Sequence, residues 1–247
     1  MQPIMINTIV MLGEEGLDQA TFVKRLAQAG PVIDGVEIRQ ELLPQDEFAR
    51  KAFFLELLET GTQKNWQLFY SVPQSLFTAT GLNPLLENWL AEAAAFGAVS
   101  VKVNIGEVAG IKAVHPQELT NLLSNYQLQL TIENDQTEAN GRLQPVTEAL
   151  AEVTATSLPV GYTFDVGNWL VMGEDLQQAF IKLQQQTTVL HLKNVASNRQ
   201  TTLLDDGSVA WRDYLLAKVP VILEYPMAFT EIAGEVAKTR NALSENK

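Results

Sequence analysis

The stretch Leu128-Gln129-Leu130-Thr131-Ile132-Glu133 is a short apolar run that predicts a β-strand. A segment with helical periodicity follows it at 142–156, and the next apolar run covers 160–166. Parallel strands cannot be joined by a tight turn and need a crossover, usually a helix. The order strand, helix, strand therefore predicts a parallel pair joined by a helix.

The same alternation extends in both directions and gives eight strand–helix units in 247 residues. A doubly wound open sheet is the competing fold, but no glycine-rich phosphate loop follows the first apolar run. This number of units in this length predicts an α/β fold, a single (β/α)8 TIM barrel in which residues 1–247 form one domain. The predicted strands are 3–11, 35–42, 66–72, 99–105, 128–133, 160–166, 187–193 and 220–225, and the predicted helices are 17–29, 46–60, 84–97, 116–126, 142–156, 175–186, 211–218 and 230–245.

Composition and charge exclude several classes of protein. A hydrophobic fraction of 46% supplies a packed core, and the absence of cysteine excludes disulfides and thiolate sites. A net charge of −12 argues against nucleic acid and against anionic membrane surfaces as partners. The apolar first residues have no basic opening and are too short to span a membrane, so we expect a cytoplasmic protein.

Four consecutive predicted strands each end with a polar side chain on the face that points into a barrel. Successive residues of a strand face opposite sides, so His191 lies opposite its neighbours Leu190 and Leu192. The same alternation turns three carboxylates inward on the other strands: Glu133, Asp165 and Glu224. In TIM barrels the carboxyl ends of the strands carry the catalytic groups.

These four side chains have ordinary explanations one by one, such as a core histidine, a helix cap or an ion pair. Three carboxylates together in a barrel would repel one another strongly unless a cation joined them. We therefore predict one divalent cation held by this set. Three oxygen ligands and one imidazole favour Mn²⁺, Mg²⁺ or Co²⁺, with Zn²⁺ as a less favoured alternative.

Further polar residues are predicted near the mouth of the barrel, where they could hold hydroxyls, a carboxylate or a phosphate. Glu37 and Arg39 share a strand face, and a buried ion pair between them is an equally weighted alternative. Lys102 and Asn104 share a strand face. The polar loop 196–209 is predicted to be either a lid over the site or an ordinary surface connection. The predicted substrate-binding residues are Glu37, Arg39, Asn104, Asn168 and Lys193.

Several segments resemble the xylose-isomerase-like barrel family of sugar and sugar-phosphate isomerases and epimerases. Their order and spacing resemble that family from the second predicted strand to the eighth. The segments that carry the resemblance are Gly35-Val36-Glu37-Ile38-Arg39, Thr131-Ile132-Glu133-Asn134, Phe164-Asp165-Val166-Gly167-Asn168, Leu190-His191-Leu192-Lys193-Asn194, Asp206-Gly207-Ser208-Val209-Ala210-Trp211 and Leu223-Glu224-Tyr225-Pro226.

The resemblance implies that the same four residues are metal ligands and that Glu133 and Glu224 also move protons on opposite faces of the substrate. It thereby implies an isomerase or epimerase that acts on a small carbohydrate through an enediolate. Two positions depart from the family pattern. Asn168 stands where a histidine is frequent, and Ala139 stands where ketose 3-epimerases carry a second glutamate.

Three other functions stay open at this point. Residues 191–194 also resemble a segment of metal-dependent 3-dehydroshikimate dehydratases, which would make the chain a lyase. An endonuclease for abasic sites is less favoured because the chain has only two histidines and a strongly negative charge. A sugar-binding barrel without activity is the third alternative. A homo-oligomer is compatible with the tryptophan and phenylalanine content but is not indicated by it.

Overall fold

Eight parallel strands pair side by side in a closed ring in the computed structural model, which describes residues 2–245. The ring follows chain order, and the last strand pairs with the first. The predicted TIM barrel is therefore confirmed. The strands are β1 Ile4–Asn7, β2 Gly35–Arg39, β3 Gln67–Thr78, β4 Ser100–Gly106, β5 Gln129–Glu133, β6 Gly161–Asp165, β7 Thr187–Leu192 and β8 Val221–Leu223.

The helices surround this ring, and several begin at the caps that the sequence provides. The Asp18 side chain accepts a hydrogen bond from the Thr21 N–H at 2.9 Å, and Pro116 occupies the first turn of its helix. None of the helices within residues 2–245 is long and apolar enough to cross a membrane. The helices are α1 Gln19–Ala29, α2 Glu47–Lys64, α3 Leu86–Ala95, α4 Pro116–Tyr126, α5 Leu143–Ala155, α6 Val166–Val171, α7 Leu176–Leu183 and α8 Phe229–Glu245.

The strands divide their side chains between two environments. The outward side chains, such as Ile132 on β5 and Leu190 on β7, pack with the helices in the main hydrophobic core. The inward side chains form a second, small apolar cluster near the amino ends of the strands. We call this cluster the floor of the barrel, and its members are Met5, Phe69, Val189 and Ile222. The floor therefore fills the barrel interior below the polar side chains at the carboxyl ends of the strands.

Several predicted elements differ from the structure. The first strand ends at Asn7 rather than at 11, because the Asn7 side chain accepts from the Ile9 N–H at 2.8 Å and starts a 3-10 turn. The third strand continues to Thr78 and pairs with a short antiparallel strand at Gly81–Leu82.

The helix predicted over 211–218 is wrong, and only a 3-10 turn forms at Trp211–Tyr214. The Trp211 indole is buried and donates to the Asp205 carboxylate at 3.0 Å, which fixes the turn through a side chain. Leu215 then adopts an extended conformation, so no helix continues from the turn.

Candidate active site

The four predicted metal ligands converge at the carboxyl ends of β5 to β8. One nitrogen or oxygen atom from each of Glu133, Asp165, His191 and Glu224 lies within 4.8 Å of the others. All four side chains are buried, although three of them are carboxylates. This arrangement is what the inward alternation of the strands predicts, and it forms a donor set of three oxygens and one nitrogen.

Asp165 is fixed by the start of α6. One carboxylate oxygen, Oδ1, accepts a hydrogen bond from the Asn168 N–H at 2.9 Å and so caps this helix. The Asn134 side chain holds the Asp165 backbone from the neighbouring strand, accepting from its N–H at 2.9 Å and donating to its carbonyl at 3.0 Å. The second oxygen, Oδ2, is left to face the centre of the barrel.

The His191 imidazole lies between three carboxylates. Its Nδ1 is 2.6 Å from Glu133 Oε1 and 3.3 Å from Glu224 Oε2, and its Nε2 is 3.1 Å from Glu37 Oε2. Among the described residues, both ring nitrogens and Glu133 Oε1 lack a partner in hydrogen-bond geometry. Buried polar atoms of this kind are rare in proteins. A cation bound to Nδ1 and to Glu133 Oε1 would satisfy these two atoms while Nε2 faces Glu37, so the residues present fit a divalent metal.

Three protein cations reach the same carboxylates. Lys102 Nζ is 2.6 Å from Glu133 Oε2, and Arg39 Nη1 is 3.0 Å from Glu224 Oε1. Lys193 Nζ lies 2.7 Å from Asp165 Oδ2 and 3.0 Å from Glu224 Oε2. The acidic cluster is thus largely compensated by the chain itself.

These contacts set the proton affinities of the carboxylates. Burial by itself would raise the pKa of the Glu133 carboxyl, but Lys102 and His191 outweigh it and hold this pKa at about 2. The pKa of Glu224 also lies well below its usual value, because Lys193 and His191 outweigh burial. For Asp165, burial raises the pKa to about 7 against the opposing charge of Lys193. Glu133 and Glu224 are therefore ionised at neutral pH.

A cavity of about 360 Å³ opens above the cluster. Glu133 and Glu224 line it, whereas Asp165 and His191 are fully buried below it. The cavity wall is otherwise mostly polar, and three of its residues are cationic. The lining residues are Ile9, Arg39, Pro73, Lys102, Asn104, Glu133, Asp135, Gln136, Asn168, Lys193, Thr201, Glu224 and Pro226.

Four of the five predicted substrate-binding residues line this cavity, namely Arg39, Asn104, Asn168 and Lys193. Glu37 does not line it. Its side chain is fully buried beside His191 and accepts a hydrogen bond from Asn7 Nδ2. Glu37 and Arg39 form no ion pair with each other, since Arg39 instead pairs with Glu41 and Glu224.

Sequence reasoning missed several residues of the site. Asn7 ends β1 on the same face as Met5, so strand alternation could have found it if the end of that strand had been known. Gln136 donates to Asn168 Oδ1 at 2.8 Å from the loop after β5, and Thr201 lines the cavity from a strand of only two residues, so no periodic signal applies to either.

The loop 196–209 begins as a small hairpin over the site. Its strands are Asn194–Val195 and Thr201–Thr202, and the Ala196 N–H donates to the Gln200 carbonyl at 2.8 Å. Asn194 fastens the rest of the loop by accepting from the Val209 N–H at 3.0 Å. A Cβ on Gly207 would approach the Asn194 side chain to 2.2 Å, which explains the glycine there. This anchored loop forms one edge of the cavity.

Comparison with known proteins identifies the fold of this chain but no relative by sequence. The chain matches no family model and no curated protein. Many solved structures share its architecture, among them xylose isomerase domain proteins. The chain therefore has the fold of the xylose-isomerase-like barrels, and the resemblance is confirmed at that level.

Three of these structures show which activities or bound ions other proteins with this fold have. D-psicose 3-epimerase from Clostridium cellulolyticum H10, solved with D-tagatose, is 12% identical, with a TM-score of 0.71 over 98% of this chain and 99% of the other. The probable 3-DHS dehydratase AsbF from Bacillus anthracis is 14% identical, with a TM-score of 0.71 over 97% and 99%. The IolI protein with a bound zinc atom is 13% identical, with a TM-score of 0.67 over 98% of each chain.

Proposed function

We propose that this chain is a divalent-metal-dependent isomerase or epimerase that acts on a small sugar, a keto-sugar or a sugar phosphate. The placement of Glu133 and Glu224 carries the proposal. They end strands that lie three places apart around the ring of eight, and both line the cavity. Two ionised carboxylates on two sides of one cavity suit a reaction that moves a proton next to a carbonyl.

Glu133, Asp165, His191 and Glu224 would hold one divalent cation, with Mn²⁺, Mg²⁺ or Co²⁺ preferred to Zn²⁺ because most of the donors are oxygens. When bound, it would polarise the substrate carbonyl and stabilise the negative charge that develops on its oxygen. Glu37, in contact with His191 Nε2, would keep the imidazole oriented with Nδ1 toward the metal. This positioning role differs from the substrate contact that strand parity predicts.

The proton steps are then divided between the two glutamates. Glu133 would take the proton from the carbon next to the carbonyl. Return of that proton to the neighbouring carbon would give an isomer. For an epimer, Glu224 would take up a proton from solvent and deliver it to the opposite face, and Glu133 would release its proton to solvent. Arg39, Asn104, Asn168 and Lys193 would hold the hydroxyls or an anionic group of the substrate, because their side chains line the cavity. Asn168 can hydrogen-bond a hydroxyl but cannot carry a proton.

A solvent-exchange experiment tests this proposal. The protein, loaded with Mn²⁺, is incubated in heavy water with a panel of ketoses, aldoses and their phosphates. We expect deuterium on the carbon next to the carbonyl of one substrate, and a loss of at least about 10²-fold in Glu133→Gln and in Glu224→Gln. The control is Glu138→Gln, since the Glu138 side chain is 78% exposed. Tight binding of a sugar without exchange would contradict the proposal and favour a non-catalytic barrel.

A dehydratase is the second candidate. It is supported by the similarity to the structure of a probable 3-DHS dehydratase and by the segment His191-Leu192-Lys193-Asn194. The same carboxylates would remove a proton, and a β-hydroxyl would then leave as water. Loss of water from 3-dehydroshikimate, followed by mass spectrometry, with no exchange in the sugar panel would favour this function over the first.

A further inference from the structure

Lys193 lies closer to the centre of the donor set than a substrate-binding residue needs to. Its ammonium contacts two of the four candidate ligands, Asp165 at 2.7 Å and Glu224 at 3.0 Å. The residue is only 7% exposed. The position of Lys193 affects how a metal ion would bind to these two ligands. The inference therefore rests on the metal centre of the proposed function.

The oxygens that Lys193 contacts are the ones that a metal would need. Asp165 Oδ1 is already used by the Asn168 N–H, so Oδ2 is the oxygen left for a metal. The Lys193 ammonium forms an ion pair with Oδ2 at 2.7 Å, although not in hydrogen-bond geometry. Arg39 takes Glu224 Oε1, whereas Oε2 faces His191 Nδ1 at 3.3 Å, and Lys193 holds that oxygen too. The same ammonium therefore hydrogen-bonds Glu224 Oε2 and forms an ion pair with Asp165 Oδ2.

Lys102 provides the contrast. It is as deeply buried and lies 2.6 Å from Glu133, but it contacts Oε2. The other oxygen, Oε1, is the one that faces His191 Nδ1 at 2.6 Å, and among the residues described it has no hydrogen-bond partner. Lys102 thus compensates the charge of Glu133 without covering the oxygen that points to the centre.

The path of the Lys193 side chain is also specific. It passes over Gly167 at the start of α6, where an added Cβ would lie 2.4 Å from its Cγ and 3.0 Å from its Cε. A residue larger than glycine would push the lysine stem away from Asp165. The glycine therefore allows the ammonium to reach the two oxygens.

We propose that Lys193 and a divalent cation compete for Asp165 Oδ2 and Glu224 Oε2, with the ammonium holding the two carboxylates together until the metal displaces it. Metal ligands of this type lie at about 2.0–2.6 Å, and an ammonium on the same oxygens would repel the cation strongly at low dielectric. The displaced lysine has room in the cavity that it already lines. There it would face the substrate as a free cation.

Calorimetric titration of Mn²⁺ into protein stripped of metals tests this competition. We expect Lys193→Met to bind Mn²⁺ at least tenfold more tightly than the natural chain. Lys102→Met is the matched control, a buried lysine removed from the same cluster. Its loss also strengthens the attraction of the cluster for a cation, but Lys102 contacts Glu133 Oε2 rather than the oxygen that faces His191, so the gain in affinity should be at least about threefold smaller than in Lys193→Met. Gly167→Ala keeps the charge but moves it, so its affinity should lie between those of the natural chain and Lys193→Met.

The outcomes separate this inference from the proposed function. Equal Mn²⁺ affinity in the natural chain and in Lys193→Met, or an equal gain in Lys102→Met, would overturn the competition and leave the metal centre standing. Binding by neither protein would overturn both. If Lys193→Met does not fold, the Gly167→Ala titration and a crystal structure of the Mn²⁺-loaded natural chain decide. An ammonium still between Asp165 and Glu224 beside the metal would overturn the inference.

Discussion

The inside of the barrel changes character between its floor and its upper end, although the same strands build both. On β7, Val189 belongs to the apolar floor and His191 to the acidic cluster two residues later. Ile222 on β8 and Glu224, the residue that follows β8, repeat this change. Two residues along a strand are a rise of roughly 6.6 Å. Over that distance the interior passes from apolar contacts to a set of buried charges.

The two regions are stable for different reasons. Each floor side chain gains from its own burial, whichever apolar neighbour it meets. Each charge of the upper end is buried at a cost and is tolerated only together with its partners, such as Lys102 with Glu133 at 2.6 Å. The floor should therefore tolerate no charge, and the upper end should lose stability when the cation that compensates an ionised carboxylate is removed.

Placing a charge in the floor is the largest test of this comparison. Ile222 is fully buried among Met5, Phe69 and Val189, and no cation belongs to that cluster in the described part of the chain. Ile222→Glu should lower the free energy of unfolding by at least about 4 kcal/mol. Ile222→Val, the control, should cost about 1 kcal/mol. Urea denaturation followed by tryptophan fluorescence measures both, and equal losses would show that the floor is open to water.

The fold is predictable from the sequence because strand and helix patterns repeat in units that depend on local periodicity. The run at 128–133 and the structural strand Gln129–Glu133 differ by one residue. The errors arise where a side chain overrides the pattern, as Asn7 does by ending β1 and Asp205 by fixing Trp211. Such contacts join residues that no local period relates.

Removing one charge from the upper end is the second test. Lys102→Met leaves the buried Glu133 carboxylate without its ammonium and should cost about 3 kcal/mol of unfolding free energy. Lys102→Met combined with Glu133→Gln should recover at least half of that loss, because no uncompensated charge remains. Both are measured in urea with EDTA present. Lys51→Met, which breaks an exposed pair with Glu47, should change stability by less than about 1 kcal/mol.

A double variant as unstable as Lys102→Met would contradict the view that the charges are stable only as a set. It would mean that Lys102 contributes through packing of its stem rather than through Glu133.

The candidate site is predictable as far as strand alternation reaches. That rule places Glu133, Asp165, His191 and Glu224 inward, and the structure brings them together. The rule cannot predict that Glu37 contacts His191 rather than lining the cavity. Inward-facing residues include both those buried deep in the barrel and those exposed to the cavity, and alternation alone does not distinguish the two depths. Distances between side chains of different strands depend on register, which a single sequence does not contain.

The smallest test concerns Asp165, the acid whose charge costs the most among the cluster. Burial raises its pKa from 3.8 to about 7, although Lys193 opposes this. In Asp165→Asn the amide oxygen can still accept from the Asn168 N–H, and no buried charge remains. With EDTA present, Asp165→Asn should be more stable than the natural chain at pH 8 by about 1 to 2 kcal/mol, as measured by urea denaturation.

The gain in stability of Asp165→Asn arises because Asp165 binds its proton more tightly in the folded chain than in the unfolded chain. Below pH 3.8 Asp165 is protonated in both states, and between about pH 4 and pH 7 only the folded chain keeps the proton. The stability that Asp165 contributes thus falls as pH rises through this window, so the advantage of Asp165→Asn should grow from pH 4 to pH 7 and then stay constant. Asp18 provides the opposite case, since the Thr21 N–H lowers its pKa and Asp18→Asn should give no gain at pH 8. A loss of stability in Asp165→Asn at pH 8 would mean that the ion pair with Lys193 outweighs the cost of burial, and Asp165 would then depend on Lys193 as Glu133 depends on Lys102.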